Sequence, residues 1–224
     1  SLGMATRLVV LQEDALEELT TAQRRKTRVI YQSAKTSLVH SPPVRRFRVC
    51  VLGHLREEKD PFRMALALRL LSGDDLEVLQ AGQPLSPVMA REAERHMRGD
   101  TRYRWVGELS HWASMRLLSR SHVMVISSKM EGGAHVVSEA IAIGVPVIAS
   151  DIPGNRGLLG EDYPAYFPVG DDACLAEMLE RVMANRGFLR RLATAVKRRR
   201  PLVAPARERR SWRNLMMELG FRSA

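Results

Sequence analysis

Short apolar runs alternate along most of this chain with segments whose apolar positions recur every three or four residues. The runs read as strands: Phe47 to Gly53, Leu76 to Ala81, Tyr103 to Gly107, Val123 to Ser127, Val145 to Ser150 and Ala165 to Pro168. The periodic segments read as helices: Pro61 to Leu71, Pro87 to Met97, His111 to Arg120, Ala134 to Ile143, Asp171 to Asn185 and Gly187 to Arg199. Strict alternation of this kind predicts an α/β protein, with a parallel sheet between two layers of helices. Before it, Arg7 to Leu11 and Arg28 to Tyr31 read as strands, the first of them buried, and Glu13 to Arg25 reads as a helix. After it comes a last helix around Glu208 to Leu219.

Ser41-Pro42-Pro43 divides this pattern, because two prolines continue neither a helix nor a central strand. Three segments follow. Residues 1–43 read as a hinge and the tail of a preceding domain whose beginning is missing. Residues 44–200 form the main domain, and residues 201–224 carry the last helix. Ser1-Leu2-Gly3 ahead of Met4 reads as a processing remnant.

Composition narrows the possibilities. A chain of 224 residues with 45% apolar content builds a real core, and no run is long and apolar enough to cross a membrane. Cys50 and Cys174 have neither redox nor zinc spacing, Cys50 lies in an apolar strand, and a reducing cytoplasm fits both. The net charge of +10 favours anionic partners: nucleotide phosphates, nucleic acid or an anionic membrane surface. Aromatic residues at 5% argue against stacking on single-stranded nucleic acid. The basic run Lys197-Arg198-Arg199-Arg200, with Arg207, Arg209 and Arg210, leaves a nucleic-acid or membrane-surface module open beside a plain solvated helix end.

The chemistry concentrates in two strand–loop–helix stretches. After Val123 to Ile126 come Glu131-Gly132-Gly133 and a helix carrying Glu139, closed by Gly144 before Val145-Pro146-Val147. Glu131 and Glu139 lie on the order of 10 Å apart at ~1.5 Å per helical residue, too far to share a proton and suited to two ends of one long ligand. Glycines let a phosphate approach backbone N–H groups, and carboxylates beside it suit neutral sugar hydroxyls. The same residues read equally as a dipole-stabilised charge and a solvated helix face. The second stretch runs from Gly53 through His54, Arg56 and Lys59 to Pro61. In a parallel sheet it faces the same edge, so Arg56 and Lys59 are candidates for a diphosphate clamp, unless Glu57 and Glu58 pair them off.

The two loops together resemble the C-terminal, donor-binding domain of family 4 retaining glycosyltransferases of GT-B architecture. Glu131-x7-Glu139 with Gly144-Val-Pro-Val-Ile-Ala resembles that family's E-x7-E signature and its downstream strand, and Gly53 to Lys59 its glycine-to-lysine loop. Tyr103-Arg-Trp-Val-Gly107-Glu-Leu109 resembles the strand and turn beside the uracil site, and Val29 to Ser33 the hinge strand. The resemblance implies a Rossmann-like, three-layer α/β/α domain, the C-terminal half of a GT-B fold, without most of the acceptor-binding N-terminal domain. It implies that Glu139 holds a ribose and Glu131 the transferred sugar. Gly133, Ala134 and His135 would bind diphosphate with Lys59, and Gly53, His54, Leu109 and Gly132 would complete the donor site. Arg56 lies two places later than the family's arginine, and Ala134 stands where the family usually has glycine. Gly53 to Phe62, Glu131-Gly-Gly-Ala and Ile152 to Tyr163 further resemble the selenosugar synthases of the selenoneine pathway, which implies a UDP-sugar donor such as UDP-N-acetylglucosamine and selenophosphate as acceptor.

From these readings the chain is expected to transfer a sugar from a nucleotide-sugar to a small-molecule acceptor. No cofactor, catalytic metal, nucleic acid or integral membrane segment is expected. No D-x-D pattern sits at a strand end, and Asp171-Asp172 reads as a helix cap. Nucleotide binding without catalysis by this chain alone stays open, since the acceptor side lies in the other half of such enzymes. His54 and His135 fall in the ligand loops, whereas His40, His96, His111 and His122 have no such placement.

Overall fold

The computed structural model describes residues 2–221; Ser1 and residues 222–224, at the ends of the first and last expected segments, lie outside the described residues. The N-terminal part pairs β1 (Leu8–Val10) with β2 (Thr27–Val29) in a parallel two-stranded sheet. With so few strands, β1 is half-buried and not the buried strand its sequence suggests. The expected helix over 13–25 is also broken. Asp14–Leu16 is a single 3₁₀ turn, and α1 (Thr21–Arg25) starts afresh where Thr20 and Gln23 form a reciprocal capping box.

The next six strands are β3 (Phe47–Leu52), β4 (Leu76–Ala81), β5 (Tyr103–Trp105), β6 (Val123–Ile126), β7 (Val147–Ser150) and β8 (Tyr166–Phe167). They form one parallel sheet in the order β5-β4-β3-β6-β7-β8. Between them run α2 (Arg63–Leu68), α3 (Pro87–Gly99), α4 (His111–Ser119), α5 (His135–Ile143) and α6 (Pro153–Leu159). α7 (Asp172–Ala184), α8 (Arg186–Arg198) and α9 (Pro205–Glu218) close the chain. Every residue of β6 and β7 is buried, as is Cys50 in β3, where burial pushes the thiol up to about 12. Such continuous apolar strands belong to a sheet covered on both faces. α6 was not foreseen in the sequence. Its two glycines mask the periodicity, although Pro153 at its start and Gly160 at its end, with φ +99°, are proper boundary residues.

No regular element lies between β2 and β3. This segment is extended and tied down: Ser33 donates to Glu208 of α9, Ala34 N–H to the Val203 carbonyl, and Ser41 N–H to the Ser119 carbonyl. Trp212 and Met216 of α9, and Leu219 just beyond it, are exposed. Leu215 turns inward and is buried.

The basic run has a structural use. Arg199 donates to the carbonyls of Leu158 and Gly157 at the end of α6, at 2.8 and 2.9 Å. Arg200 donates to the Ile143 carbonyl at 2.7 Å, at the end of α5. Both guanidiniums therefore satisfy helix-terminal carbonyls and meet the negative ends of two dipoles. That occupation weighs against a nucleic-acid surface here. Arg199→Ala is expected to cost about 1–2 kcal/mol of stability, read as a lower midpoint of denaturant unfolding.

Candidate functional site

Numbered within the six-stranded sheet, the strand order is 3-2-1-4-5-6, which reverses direction between β3 and β6. Open α/β sheets bind ligands outside the carboxyl ends of the strands at such a reversal. The two loops singled out in the sequence leave β3 and β6 there and close on each other. The first leaves at Gly53, makes a 3₁₀ turn over Glu57–Lys59, and ends at Asp60. Asp60, with φ +43°, is the one non-glycine residue with positive φ among the described residues. Its carboxylate accepts from Arg63 at 2.8 Å, which holds this unfavourable conformation in place. Ser127 Oγ donates to the carbonyls of Lys59 and Asp60, and Lys129 N–H to that of Glu58. The first loop is thus fastened to the end of β6.

Across this junction Lys59 Nζ pairs with Glu131 Oε1, and both side chains are largely buried. Ser128 Oγ donates to the same carboxylate oxygen at 2.6 Å. Ser150 Oγ in turn donates to the Ser128 carbonyl at 2.6 Å, and buried Asn155 donates to Ser150 at 2.9 Å. A Cβ on Gly154 would lie 2.1 Å from the Glu131 carbonyl oxygen, so α6 seats against the Glu131 backbone only because residue 154 is glycine. Sequence reading missed Ser128, Gly154 and Asn155. Their one signal is the Pro-Gly-Asn that opens α6.

Glu139 lies on α5, buried to 8% exposure. His111 Nε2 is 2.8 Å and His135 Nε2 3.5 Å from its Oε1. Burial pushes the Glu139 carboxyl above its ordinary value, and the charges of His135 and His111 pull it back. The placement of His111 corrects the sequence reading, which gave it no part in the site. The turn after β5 delivers it to the same sheet edge as His135.

The remaining predicted residues are less closely gathered. Arg56 and His54 are exposed, and the Arg56 guanidinium lies 3.9 Å from Glu58, away from Glu131. Leu109 is half-buried, just before the α4 cap Ser110. Gly132 is exposed with open space around it. Gly133 is needed for another reason, since a Cβ there would lie 2.6 Å from that of Leu11. Ala134 takes φ −72° and ψ 100°, which any L-residue adopts, so its departure from glycine causes no strain. Ser86, Ser110, Asp171 and Asn185 cap α3, α4, α7 and α8, whereas α5 opens at Ala134 without a side-chain cap. Its first N–H groups and the helix dipole point into the junction, as an anion site requires.

Two cavities flank the pair. One of about 20 Å³, lined by Gly53, His54, Lys59, Gln80 and Ser127, has room for one water, and the buried Gln80 Nε2 beside it has no protein partner. The other, about 260 Å³, lies between Gln12, Glu131 and Gly154. Among the described residues, no three His, Cys, Asp or Glu side chains are arranged to hold a metal ion. No described helix is long and apolar enough to cross a membrane.

Residues 35–199 match the family model "Glycosyl transferases group 1". The chain belongs to this family. It is 28% identical over 147 residues to a Xenopus tropicalis protein, "Glycosyltransferase 1 domain-containing protein 1". That match covers 64% of this chain and 42% of the relative. Among solved structures, a glycosyltransferase from Rickettsia africae superposes with a TM-score of 0.82 at 14% identity, over 97% of this chain and 64% of that one. Anabaena HepE, solved with UDP and glucose, gives 0.79 at 16% identity, over 96% and 63%. Sucrose-phosphate synthase from Thermosynechococcus elongatus gives 0.77 at 22% identity, over 98% and 58%. The fold is therefore the parallel-sheet, Rossmann-like fold of GT-B glycosyltransferases. This member of the family spans less than two thirds of the relatives it matches.

Gly154→Ala is expected to displace the Glu131 backbone while the core stays folded. The amide signals of residues 128–134 in a heteronuclear NMR spectrum are expected to shift far more than those of β3 or β4.

Proposed function

We propose that this chain is the donor-binding half of a retaining glycosyltransferase, taking a sugar from a nucleoside-diphosphate sugar, UDP-linked, without a catalytic metal. The observation that carries this is the Lys59–Glu131 pair at the sheet reversal, beside the uncapped start of α5. Lys59 uses one of its three N–H donors on Glu131 and keeps two for a diphosphate. As the glycosidic bond breaks, charge grows on the leaving diphosphate. Lys59 and the backbone N–H groups at Ala134 and His135 stabilise it from fixed positions. Glu131, held by Lys59 and Ser128, accepts from hydroxyls of the transferred sugar. Glu139, two turns along α5, accepts from the ribose diol. Gly53, His54 and Leu109 border the donor, and Arg56 reaches the diphosphate only by leaving Glu58. The UDP found in the HepE structure supports the choice of base.

The acceptor and the water-excluding cleft belong to a preceding domain in this reading. Retention, family 4 membership and selenophosphate as acceptor rest on the sequence resemblance, and the net charge of +10 suits two anionic substrates. A second reading is donor binding without transfer by this chain alone, favoured by its spanning 42% of the matched relative. Transfer by a form that includes the preceding domain, read by the anomeric coupling of the product, separates the two. Complete loss of that transfer on metal chelation would sink the metal-free claim.

Glu139→Ala is expected to weaken binding of UDP-glucose or UDP-N-acetylglucosamine at least about tenfold by calorimetry, from loss of hydrogen bonds to a charged acceptor. Lys59→Ala is expected to lower the transfer rate by about 10²–10³, with a smaller effect on donor binding, because its charge meets the developing diphosphate. Binding that ignores Glu139→Ala would overturn the ribose assignment.

A further inference from the structure

We propose that His111 is a movable cover on the nucleotide site, which the ribose displaces from Glu139 and which holds more tightly when protonated. The proposal rests on the reading of Glu139 as the ribose carboxylate and adds a residue to it. Glu139 is nearly closed to solvent, whereas the His111 side chain lying on it is 68% exposed. Its Nε2 sits 2.8 Å from Oε1, at hydrogen-bond distance, where an incoming hydroxyl would donate. The cover has somewhere to go. A hollow of about 370 Å³ lies between residues 35–38 and α4, lined by Thr36, Leu38, Trp112 and His111 itself.

The charges around the pair make the contact conditional. His111 is the first residue of α4, where the helix dipole disfavours a cation. Glu139 favours one, and a charge-assisted bond is roughly twice as strong as a neutral one. Among the other charged groups, Lys35 lines the same hollow as His111 and Arg116 lies over the Trp112 ring. His135, on α5, lies 3.5 Å from the same oxygen, and Glu208 of α9 feels its charge. Arg200 meets α5 only at its far end, on the carbonyls of Ile141 and Ile143.

The direction follows. An imidazole gains its proton as pH falls from 8 to 5. Protonated His111 grips Glu139 harder, so the ribose competes less well at low pH. Burial raises the Glu139 carboxyl, so protonation of Glu139 itself also weakens binding at low pH. Removing His111 tells these apart. Without the cover, low-pH binding recovers. If Glu139 protonation alone governs, loss of a neighbouring cation lets Glu139 protonate earlier and the fall becomes steeper.

The test is calorimetric titration of the full chain with UDP-glucose, whose diphosphate diester keeps its charge across this range, from pH 5.5 to 7.5. Wild type is expected to lose affinity toward pH 5.5. His111→Ala and His111→Gln are expected to flatten the profile and bind several-fold tighter than wild type at pH 5.5. His135→Ala, the control, is expected to keep a fall. A His111→Ala profile parallel to wild type, or steeper, overturns the cover while the ribose reading stands. Binding unaffected by Glu139→Ala, or no binding by any form, overturns the ribose reading and the cover with it.

Discussion

The ion pair of Lys59 and Glu131 joins what the sheet order separates. β3 and β6 are neighbours in the sheet, but their loops run to helices in opposite directions from the reversal. Two charges are largely removed from water there, and attraction alone does not offset that loss unless hydrogen bonds complete the site. Ser128 supplies one to the carboxylate, and Ser127 fixes the lysine's backbone. Each loop is therefore positioned by a residue of the other. The cation and the carboxylate come to the mouth of the sheet as one unit, 72 residues apart in sequence.

The sheet was legible because parallel strands buried on both faces leave continuous apolar runs. Val123–Ile126 and Val147–Ser150 match their sequence readings closely. Helix ends were legible where a cap or a glycine marks them, as at Asp171 and Gly144. The meeting of Lys59 with Glu131 was legible in part, since both loops leave parallel strands at the same edge. What stayed hidden depends on distance through space. Gly133 is small for Leu11 and Gly154 for Glu131, and neither demand leaves a local pattern. His111 reaches Glu139 from 28 residues away in sequence, on another helix. The helix over 13–25 failed because the Thr20 capping box outweighed its periodicity.

Charge counting alone also misleads. Arg102 donates to the carbonyls of Leu68, Leu71 and Gly73 and pairs with Asp100, whose carboxyl it holds below its ordinary value. Arg199 and Arg200 likewise bond helix-terminal carbonyls. These three arginines thus complete the backbone hydrogen bonding of segment ends that would otherwise leave orphaned acceptors.

The two carboxylates of the site are held by chemically different means, and this bears on what each can do. Glu131 is held by the Lys59 ammonium and by the Ser128 hydroxyl. Both contacts fasten it to the loop after β3 and the end of β6. Glu139 faces two histidines, and its own carboxyl is raised by burial. Burial thus acts on the Glu139 carboxyl, whereas an ion pair completes Glu131. Seven residues separate two glutamates that look alike in sequence. Their partners, from a loop after β3 and from the start of α4, make one a lysine-paired carboxylate and the other a buried carboxylate under two imidazoles.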